Sequence, residues 1–271
     1  MVLRLQAEHG EFSGDFRLLY SESEVVPPLE EVADLTYQLR PTAPGLWTWL
    51  VNGAPTQRSP FPAPLVLTHF EWAIHDSVTW ALAPAIGFHA AVVANSTGAA
   101  VALVASSGSG KSTLAAGMVA AGWYLVADEF FVTSPDGSVV PMPGPITLKN
   151  ESIELIRARG GPLVIGPTVH DPARGALAHV RPAVRLPSDL RVDVRSLVFP
   201  TFGLDERLLF DRVTPPYTFQ QLTLQSQNKH LLGIPGFRML SRVARIPAWK
   251  LQFNALSQAI EAVASSLDAG I

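Results

Sequence analysis

The chain has 271 residues, of which 48% are hydrophobic and 16% are charged, and its formal net charge is −3. This composition can bury the core of one large domain or two small ones, and the net charge carries no signature of binding to nucleic acid or to an anionic membrane. Cysteine is absent, which excludes disulfides, zinc–thiolate sites and thiol nucleophiles. Because the sequence shows neither an apolar signal segment nor a run of 18 apolar residues, we expect a soluble cytoplasmic protein.

The first third of the chain predicts a small accessory module that consists mainly of β-strands. Residues 16–22, 35–40 and 46–53 are rich in β-branched or aromatic residues, which favour strands. An Asn-Gly pair closes the third segment as a typical hairpin turn. We place this module at residues 1–84.

The module is expected to end with a proline-rich segment and a helix. Residues 59–65 contain three prolines, which exclude a helix or a central strand and predict a linker. Residues 66–83 show the helical spacing of apolar residues without a breaker. Since no pattern in the module indicates catalysis, we expect the chemistry in a second domain, residues 85–271.

The second domain is predicted to begin with two apolar strands around a Ser-Thr-Gly turn, within residues 88–106. A phosphate-binding motif and its helix follow. The other predicted elements are a helix at 150–159, mostly loop with short strands at 160–191, a strand at 195–202 and helical structure from 216 onwards. We therefore expect an α/β domain.

Residues 105–112, ASSGSGKS, match the P-loop template G-x-x-x-x-G-K-[ST], except that Ala105 replaces the first glycine. Alanine is tolerated there as long as its φ is negative. In such a loop, backbone N–H groups and the helix N-terminus bind phosphate oxygens, Lys111 reaches the β- and γ-phosphates, and the Ser112 hydroxyl ligates Mg²⁺. The predicted nucleotide contacts are Ser107, Gly108, Ser109, Gly110, Lys111, Ser112 and Thr113. The sequence thus predicts a site for ATP and Mg²⁺.

An acidic pair follows the P-loop helix after a short distance. The helix is expected to end near Ala121, where Gly122 stops it, and an apolar strand then leads to Asp128 and Glu129. A helix of about 12 residues advances roughly 18 Å, and a strand of about 6 residues returns roughly 20 Å, so the acids come back to the mouth of the P-loop. At the end of a strand next to the P-loop strand, one acid can hold metal while the other accepts the proton of an attacking hydroxyl.

Three segments, GFHAAVV, GSGKSTL and GWYLVADEF, resemble the catalytic domain of HPr kinase/phosphorylase, in which a histidine precedes the Walker A strand and an acidic strand follows its helix. More closely, residues 65–265 resemble the HPr-kinase-related proteins of bacterial biosynthetic clusters. The features shared with that family are Glu71-Trp72, the PITLKNES segment at 145–152, Asn228, Gly236-Phe237 and Pro247-Ala248-Trp249.

This resemblance implies an ATP-dependent serine kinase for a protein or peptide, with a P-loop fold of the HPr kinase/phosphoenolpyruvate carboxykinase type. It implies that His89 lies near the transferred phosphate, that Lys111 and Ser112 contact nucleotide and metal, and that Asp128 is the first acid of the pair. Glu129 replaces a second aspartate of HPr kinase, and His89 is followed by alanine rather than glycine. The phosphorylase motif has no counterpart, so reverse phosphorolysis is not expected.

Several further residues are candidates for this site or its surroundings. Lys149 precedes a predicted helix and is expected to bind phosphate or a substrate carboxylate, and Asn150 is the candidate N-cap of that helix. Arg238 is a candidate clamp for the transferring phosphoryl group, because a delocalised cation stabilises its charge. Arg242 and Arg245 are expected on a solvated helix face.

The remaining histidines and tryptophans are interpreted as structural. His69 and His75 lie six residues apart, which differs from the i, i+4 spacing of metal ligands on a helix. The tryptophans expected in the core are Trp47, Trp49, Trp72 and Trp80; an exposed pair that grips a peptide is the alternative.

We expect Asp128 to be the general base and Lys111, with Arg238, to neutralise charge. The oxygen ligands expected for the metal are those of Ser112, Asp128 and Glu129. The expected partner is a small protein or peptide with a serine acceptor, not nucleic acid or a membrane, and homo-oligomerisation stays open. Two other classes also stay open: a kinase for a sugar or alcohol, and a regulator that binds nucleotide and turns it over slowly.

Overall fold

The computed structural model describes residues 3–7, 12–20, 35–81, 84–134, 136–142, 144–203 and 207–267. The chain is a mixed α/β structure in which helices pack on several sheets, as expected. In these ranges, no helix combines the length and the hydrophobicity that a membrane-spanning segment needs.

An aromatic-lined sheet forms the N-terminal region. Its strands and helices are β1 (Leu3–Ala7), α1 (Ser13–Tyr20), β2 (Leu35–Ala43), β3 (Leu46–Val51), β4 (Ala54–Pro55), β5 (Phe61–Pro62) and α2 (Val66–Ala81). β2 and β3 form an antiparallel hairpin, β1 pairs with β2 in parallel, and β4 and β5 pair with β3. The strands predicted at 35–40 and 46–53, the turn after the second and the helix at 66–83 are confirmed within the described residues.

The strand predicted at 16–22 is wrong. Residues up to Tyr20 belong to α1, and the last two residues of the segment lie outside the described ranges. Phe16 packs its ring against those of Trp49 and Phe70, with centroid distances of 5.9 and 5.0 Å. This tertiary contact supports a helix too short to be stable alone, so aromatic content was a poor guide to a strand.

The linker predicted at 59–65 is also wrong, because this segment contains a strand that pairs with the N-terminal sheet. Phe61 is 1% exposed and lies in β5, at the sheet edge where proline is tolerated. A 3-10 turn, Ala63–Leu65, then leads directly into α2. The prolines therefore mark an edge strand and the start of a helix.

The second region contains the remaining elements. Its strands are β6 (Ile86–Phe88), β7 (Ala90–Ala94), β8 (Ala99–Val104), β9 (Tyr124–Ala127), β10 (Phe131–Thr133), β11 (Val139–Val140), β12 (Ile146–Lys149), β13 (Leu163–Asp171), β14 (Gly175–Pro182), β15 (Asp193–Phe202), β16 (Leu209–Val213) and β17 (Ala248–Phe253). Its helices are α3 (Lys111–Ala120), α4 (Glu151–Arg159), α5 (Pro215–Gln225), α6 (Lys229–Val243) and α7 (Leu256–Ser265).

The central sheet has the strand order β16-β17-β15-β8-β7-β9 and is covered on both faces. Val93 and Leu103 belong to the apolar cluster that contains α3 and α7, whereas Val92 and Val104 belong to the cluster that contains α5 and α6. Burial on both faces explains why β7 and β8 are apolar throughout rather than alternating. The two strands predicted around the Ser-Thr-Gly turn are confirmed.

The acidic pair follows β9, which was expected beside the P-loop strand β8. That detail is wrong, because β7 lies between them. Since β7 is antiparallel to both neighbours, β8 and β9 run in the same direction and end at the same edge of the sheet. The expected return to the P-loop is therefore achieved across one intervening strand.

Two further predictions need correction. Residues 160–191, predicted as mostly loop, contain the long hairpin β13–β14, which forms a second sheet in the order β12-β14-β13. An irregular register between Ile165 and Thr168 interrupts the strand pattern there. The tail from residue 216 onwards is helical in α5, α6 and α7, but it also contains the strand β17, which was not predicted. The strand β16, just before α5, was not predicted either. The helix at 150–159 and the strand at 195–202 are confirmed as α4 and β15.

Candidate active site

The loop between β8 and α3 depends on two glycines. Gly108 and Gly110 have φ angles of 87° and 84°, in the left-handed region that favours glycine. A Cβ atom at Gly110 would lie 3.0 Å from side-chain atoms of Phe202 and Phe253, so the loop also approaches its neighbours closely. Ala105 keeps a negative φ and fits at the position of the first template glycine.

The N-terminus of α3 presents donors suited to an anion. Its N-cap residue is Gly110, which provides no side-chain cap, so the first-turn N–H groups are left for another acceptor. Ser112 and Thr113 lie half-buried in this first turn. The Ser109 hydroxyl is buried and has no hydrogen-bond partner among the described residues. The predicted contacts at 107–113 thus lie together around one loop and one helix end.

Lys111 contacts a histidine and an acid from two other segments. Its Nζ lies 2.9 Å from His89 Nε2 and 4.0 Å from Glu129 Oε2. His89 Nε2 lies 2.6 Å from the same Glu129 oxygen, so it donates to Glu129 when protonated and accepts from Lys111 when not. The Lys111 side chain is 3% exposed, which holds its ammonium group inside this cluster.

Asp128 points towards Ser112 rather than towards this cluster. The Ser112 hydroxyl donates to Asp128 Oδ1 over 3.5 Å, while Asp128 Oδ2 is buried without a hydrogen-bond partner in the described part of the chain. A hydroxyl oxygen beside a carboxylate fits Mg²⁺, which is usually bound through one or two carboxylates, waters and substrate phosphates. The described ranges contain no group of three acidic or histidine side chains with metal-site geometry, so protein ligands alone would not complete this site.

The two neighbouring acids have opposite electrostatic environments. Burial, and then the charge of Glu129, raises the pKa of Asp128 to about 7, although Lys111 opposes the change. Burial also raises the pKa of Glu129, but the His89 hydrogen bond and the charge of Lys111 outweigh it and lower that pKa to about 2. A carboxylate with a pKa near 7 can accept a proton at neutral pH, whereas Glu129 stays ionised.

The backbone at Glu129 separates the two carboxylates. Its φ is 64°, which residues other than glycine rarely adopt and which costs roughly 1–3 kcal/mol. After β9, this turn leaves Asp128 beside Ser112 and Glu129 beside His89. Neither spacing nor composition predicts this division between adjacent residues.

Lys149 and Asn150 approach the P-loop from the end of β12. Lys149 Nζ donates to Ser107 Oγ over 3.0 Å, which places a second cation beside the loop. Asn150 precedes α4 as predicted, but its side chain does not cap that helix. It accepts from the Ala176 N–H and donates to the Arg174 carbonyl instead. Asn150 is therefore the N-cap residue by position, as predicted, but the capping hydrogen bond is absent because its amide connects β12 to the β13–β14 hairpin.

Arg238 lies exposed on α6, a helix that packs against β6 just before His89. Among the described residues, no hydrogen bond or ion pair joins Arg238 to the Lys111 cluster. Its role as a phosphate clamp stays a prediction. Arg242 is exposed in the last turn of this helix, as expected, whereas Arg245 is exposed in the turn that follows the helix rather than on a helix face.

Glu71 is a residue whose role only the structure shows. Its Oε2 accepts from the Thr147 hydroxyl over 2.9 Å and lies 3.1 Å from His179 Nε2. Its charge also contributes to the raised pKa of Asp128, after the larger effects of burial and Glu129. The two partners lie 76 and 108 residues further along the chain, so no local pattern could have identified this contact.

His69 and His75, which were interpreted as structural, both pack against phenylalanine rings. The ring centroids are 4.2 Å apart for His69 and Phe61 and 4.5 Å apart for His75 and Phe130. Trp47 and Trp49 are buried, as expected, and do not form an exposed pair. Trp72 is half-buried, and the side chain of Trp80 lies outside the described part.

Comparison of the chain with protein-family models and with curated proteins gives no match. The candidate active site consists of the loop before α3, Lys111 with His89 and Glu129, and Ser112 with Asp128.

Proposed function

We propose that this protein is a kinase that transfers the γ-phosphate of Mg-ATP to a serine hydroxyl of a small protein or peptide. The observation that carries the proposal is the position of Asp128, a buried carboxylate with one unpartnered oxygen, beside Ser112 in the first turn of the P-loop helix. A nucleotide loop alone supports only binding, whereas an acid poised there supports transfer to a hydroxyl.

The residues divide into a phosphate-binding set and a proton-accepting acid. The loop N–H groups, Lys111 and Lys149 would hold the phosphates, and Ser112 with Asp128 Oδ1 would hold Mg²⁺, which supplies charge neutralisation when bound. The unpartnered oxygen, Asp128 Oδ2, accepts the proton of the substrate serine as the serine oxygen forms a bond to the γ-phosphorus and the bond from that phosphorus to the bridging oxygen of the departing ADP breaks. Glu129, ionised and held by His89, keeps Lys111 in place.

The finer assignments are part of the same proposal. Residues 85–271 would form a P-loop kinase domain of the HPr kinase/phosphoenolpyruvate carboxykinase type, with residues 1–84 as an accessory module in the cytoplasm. The strand order supports this assignment. β8 leads into the P-loop, its antiparallel neighbour β7 directly follows His89, and β9, on the other side of β7, ends just before Asp128 and Glu129. The acceptor class, a serine, comes from the motif resemblance.

The test is to incubate the purified protein with Mg²⁺ and γ-labelled ATP, alone and with a lysate of its source cells. We expect a labelled small protein or peptide that is absent when the Asp128→Asn variant replaces the wild type. A labelled metabolite without labelled polypeptide would instead indicate a small-molecule kinase. Release of free phosphate alone would indicate a slow regulatory ATPase.

A further inference from the structure

Two arginines lie over the indole of Trp72, a half-buried residue of α2. The guanidinium carbons of Arg58 and Arg174 each lie 4.0 Å from the centroid of a Trp72 ring. His69 meets the same indole edge-on at 4.8 Å.

The two arginines differ in what their N–H groups contact. Arg174 is anchored to Asp171 through two hydrogen bonds of 3.0 and 2.8 Å, so its charge is paired. Arg58 is exposed and forms no hydrogen bond or ion pair within the described part of the chain. Stacking holds a guanidinium group in one plane and leaves its in-plane donors available, the geometry that binds a carboxylate in bidentate fashion.

A chain of contacts connects this stack to the P-loop. The Arg174 carbonyl accepts from Asn150 Nδ2 over 3.4 Å, and the next residue towards the loop, Lys149, donates to Ser107 over 3.0 Å. Lys149 also forms no ion pair in the described ranges. Burial, and then the charges of the two arginines, lowers the pKa of His69 to about 4, so this histidine is neutral near pH 7. Arg58 and Lys149 are thus the two cations of this stretch that lack an ion-pair partner among the described residues.

We propose that the Arg58–Trp72–Arg174 stack docks an acidic segment of the polypeptide substrate, with a Glu or Asp carboxylate bound by Arg58. This inference rests on the proposed function, because it concerns how a polypeptide acceptor reaches the site. The docked segment would lie several residues from the serine that enters the P-loop mouth. An extended polypeptide fits this arrangement, since its carboxylates and its hydroxyl are separated along the chain.

The probe is a short fluorescent peptide with one serine and a block of glutamates, compared with the same peptide carrying glutamines. Binding is measured by fluorescence anisotropy at low salt and without nucleotide. We expect the glutamate peptide to bind about 10-fold more tightly, with a difference that shrinks as salt is added. Equal affinities of the two peptides would overturn the proposal.

Two variants and a matched control locate the binding. Arg58→Ala is expected to weaken binding of the glutamate peptide by about 5-fold, the effect of losing one exposed charge pair. Arg58→Lys should restore only part of this loss, because an ammonium group keeps the charge but not the stacked plane. The control is Arg245→Ala, another exposed arginine. An equal effect of the Arg58→Ala and Arg245→Ala substitutions, or equal displacement of both peptides by an RNA oligonucleotide, would indicate general polyanion binding and overturn the proposal.

The binding assay also separates failure of the docking site from failure of the kinase. Glutamate-dependent binding at Arg58 without phosphate transfer to any peptide would leave the docking site intact and contradict the kinase. Transfer to the glutamate and glutamine peptides with the same KM would support the kinase and overturn the docking site. Moving the glutamate block along the peptide measures its distance from the serine, and we expect one spacing to give the lowest KM.

Discussion

In the proposed mechanism, Lys111 binds the nucleotide and Asp128 accepts the proton. Substitutions of these two residues should therefore have different effects on nucleotide affinity and on phosphate transfer. Lys111→Ala removes the buried cation beside the loop, and we expect nucleotide affinity to fall by about 100-fold or more. Asp128→Asn keeps the shape of the side chain and should leave nucleotide affinity within a few-fold while transfer falls by about 10²-fold or more. Nucleotide titration and a transfer assay on both variants measure this, with the exposed Lys250→Ala as control.

Unchanged transfer in the Asp128→Asn variant would remove the base assignment. A loss of nucleotide affinity equal to that of Lys111→Ala would show instead that Asp128 acts in binding. Because Asp128 and Lys111 are buried, their substitution could also unfold the protein. Circular dichroism must therefore first show that both variants are folded.

The raised pKa of Asp128 also predicts how stability depends on pH. Burial and Glu129 raise this pKa from 3.8 to about 7, so between these values the folded state keeps a proton that the unfolded chain releases. The free energy of unfolding therefore falls as pH rises through this window. Asp128→Asn removes this titration. Without nucleotide or metal, the free energy of unfolding of the variant relative to the wild type should therefore rise by on the order of 2–4 kcal/mol between pH 5 and pH 8.

Thermal unfolding at pH 5 and pH 8 tests this prediction. The difference in Tm between the Asp128→Asn variant and the wild type should grow by several degrees at the higher pH. The matched control is Asp211→Asn, an exposed aspartate on β16. A constant difference between the two pH values would show that Asp128 titrates normally.

At the scale of elements, the connection between α5 and α6 holds the segment that carries His89. The His89 N–H donates to the Gln225 carbonyl over 2.8 Å. Asn228 is 1% exposed, and its side chain accepts from the Gly87 N–H and donates to the Ala85 carbonyl over 3.0 and 2.9 Å. Asn228 thus pairs with the edge of β6 much as another strand would.

Asn228→Ala should therefore loosen β6 and displace His89. The substitution leaves two buried backbone groups without partners, which costs about 2–4 kcal/mol in the free energy of unfolding. We expect transfer activity to fall as well, since His89 contacts both Lys111 and Glu129. Chemical denaturation and transfer assays check this, with the exposed Gln258→Ala on α7 as control. A variant with wild-type stability would show that the buried amide contributes nothing at this edge.

At the scale of the whole molecule, Glu71 connects the N-terminal region to the second sheet. It lies on α2 and contacts Thr147 on β12 and His179 on β14. Burial, and then Glu71, raises the pKa of Tyr20 on α1 well above its usual value. The boundary at residue 84 stays a prediction, but these contacts couple the two sides of it.

Glu71→Ala should separate the unfolding of the two regions. In the wild type, Trp fluorescence should change together with the far-ultraviolet circular dichroism. Four of the six tryptophans belong to the N-terminal region (Trp47, Trp49, Trp72 and Trp80) and two to the second region (Trp123 and Trp249). In the variant, we expect the fluorescence transition to come first and the total free energy of unfolding to fall by about 2–3 kcal/mol. Coincident transitions in the variant would contradict the coupling. The control is the exposed Glu261→Ala.

Much of the secondary structure and part of the site could be predicted from local sequence. The P-loop, its helix and the strand that returns to Asp128 follow from a contiguous motif and from the fixed rise per residue of helices and strands. Predictions failed where a segment's partner lies elsewhere in the chain. The segment at 16–22 looked like a strand but packs its aromatic residues as a helix, and β17 within the tail is buried between β15 and β16.

By itself, the sequence determined that a loop with the P-loop motif, its lysine and an acidic pair meet at one edge of an apolar sheet, because all of these lie within one short, regular stretch. Only the tertiary structure decided that Asp128 belongs to Ser112 and Glu129 to His89, that Glu71 contacts His179, and that Arg58 and Arg174 stack on Trp72. These contacts depend on backbone torsion at one residue or on pairs far apart in the chain. Neither a single backbone torsion nor a contact between distant residues produces a periodic pattern in the sequence, so neither could be predicted from it.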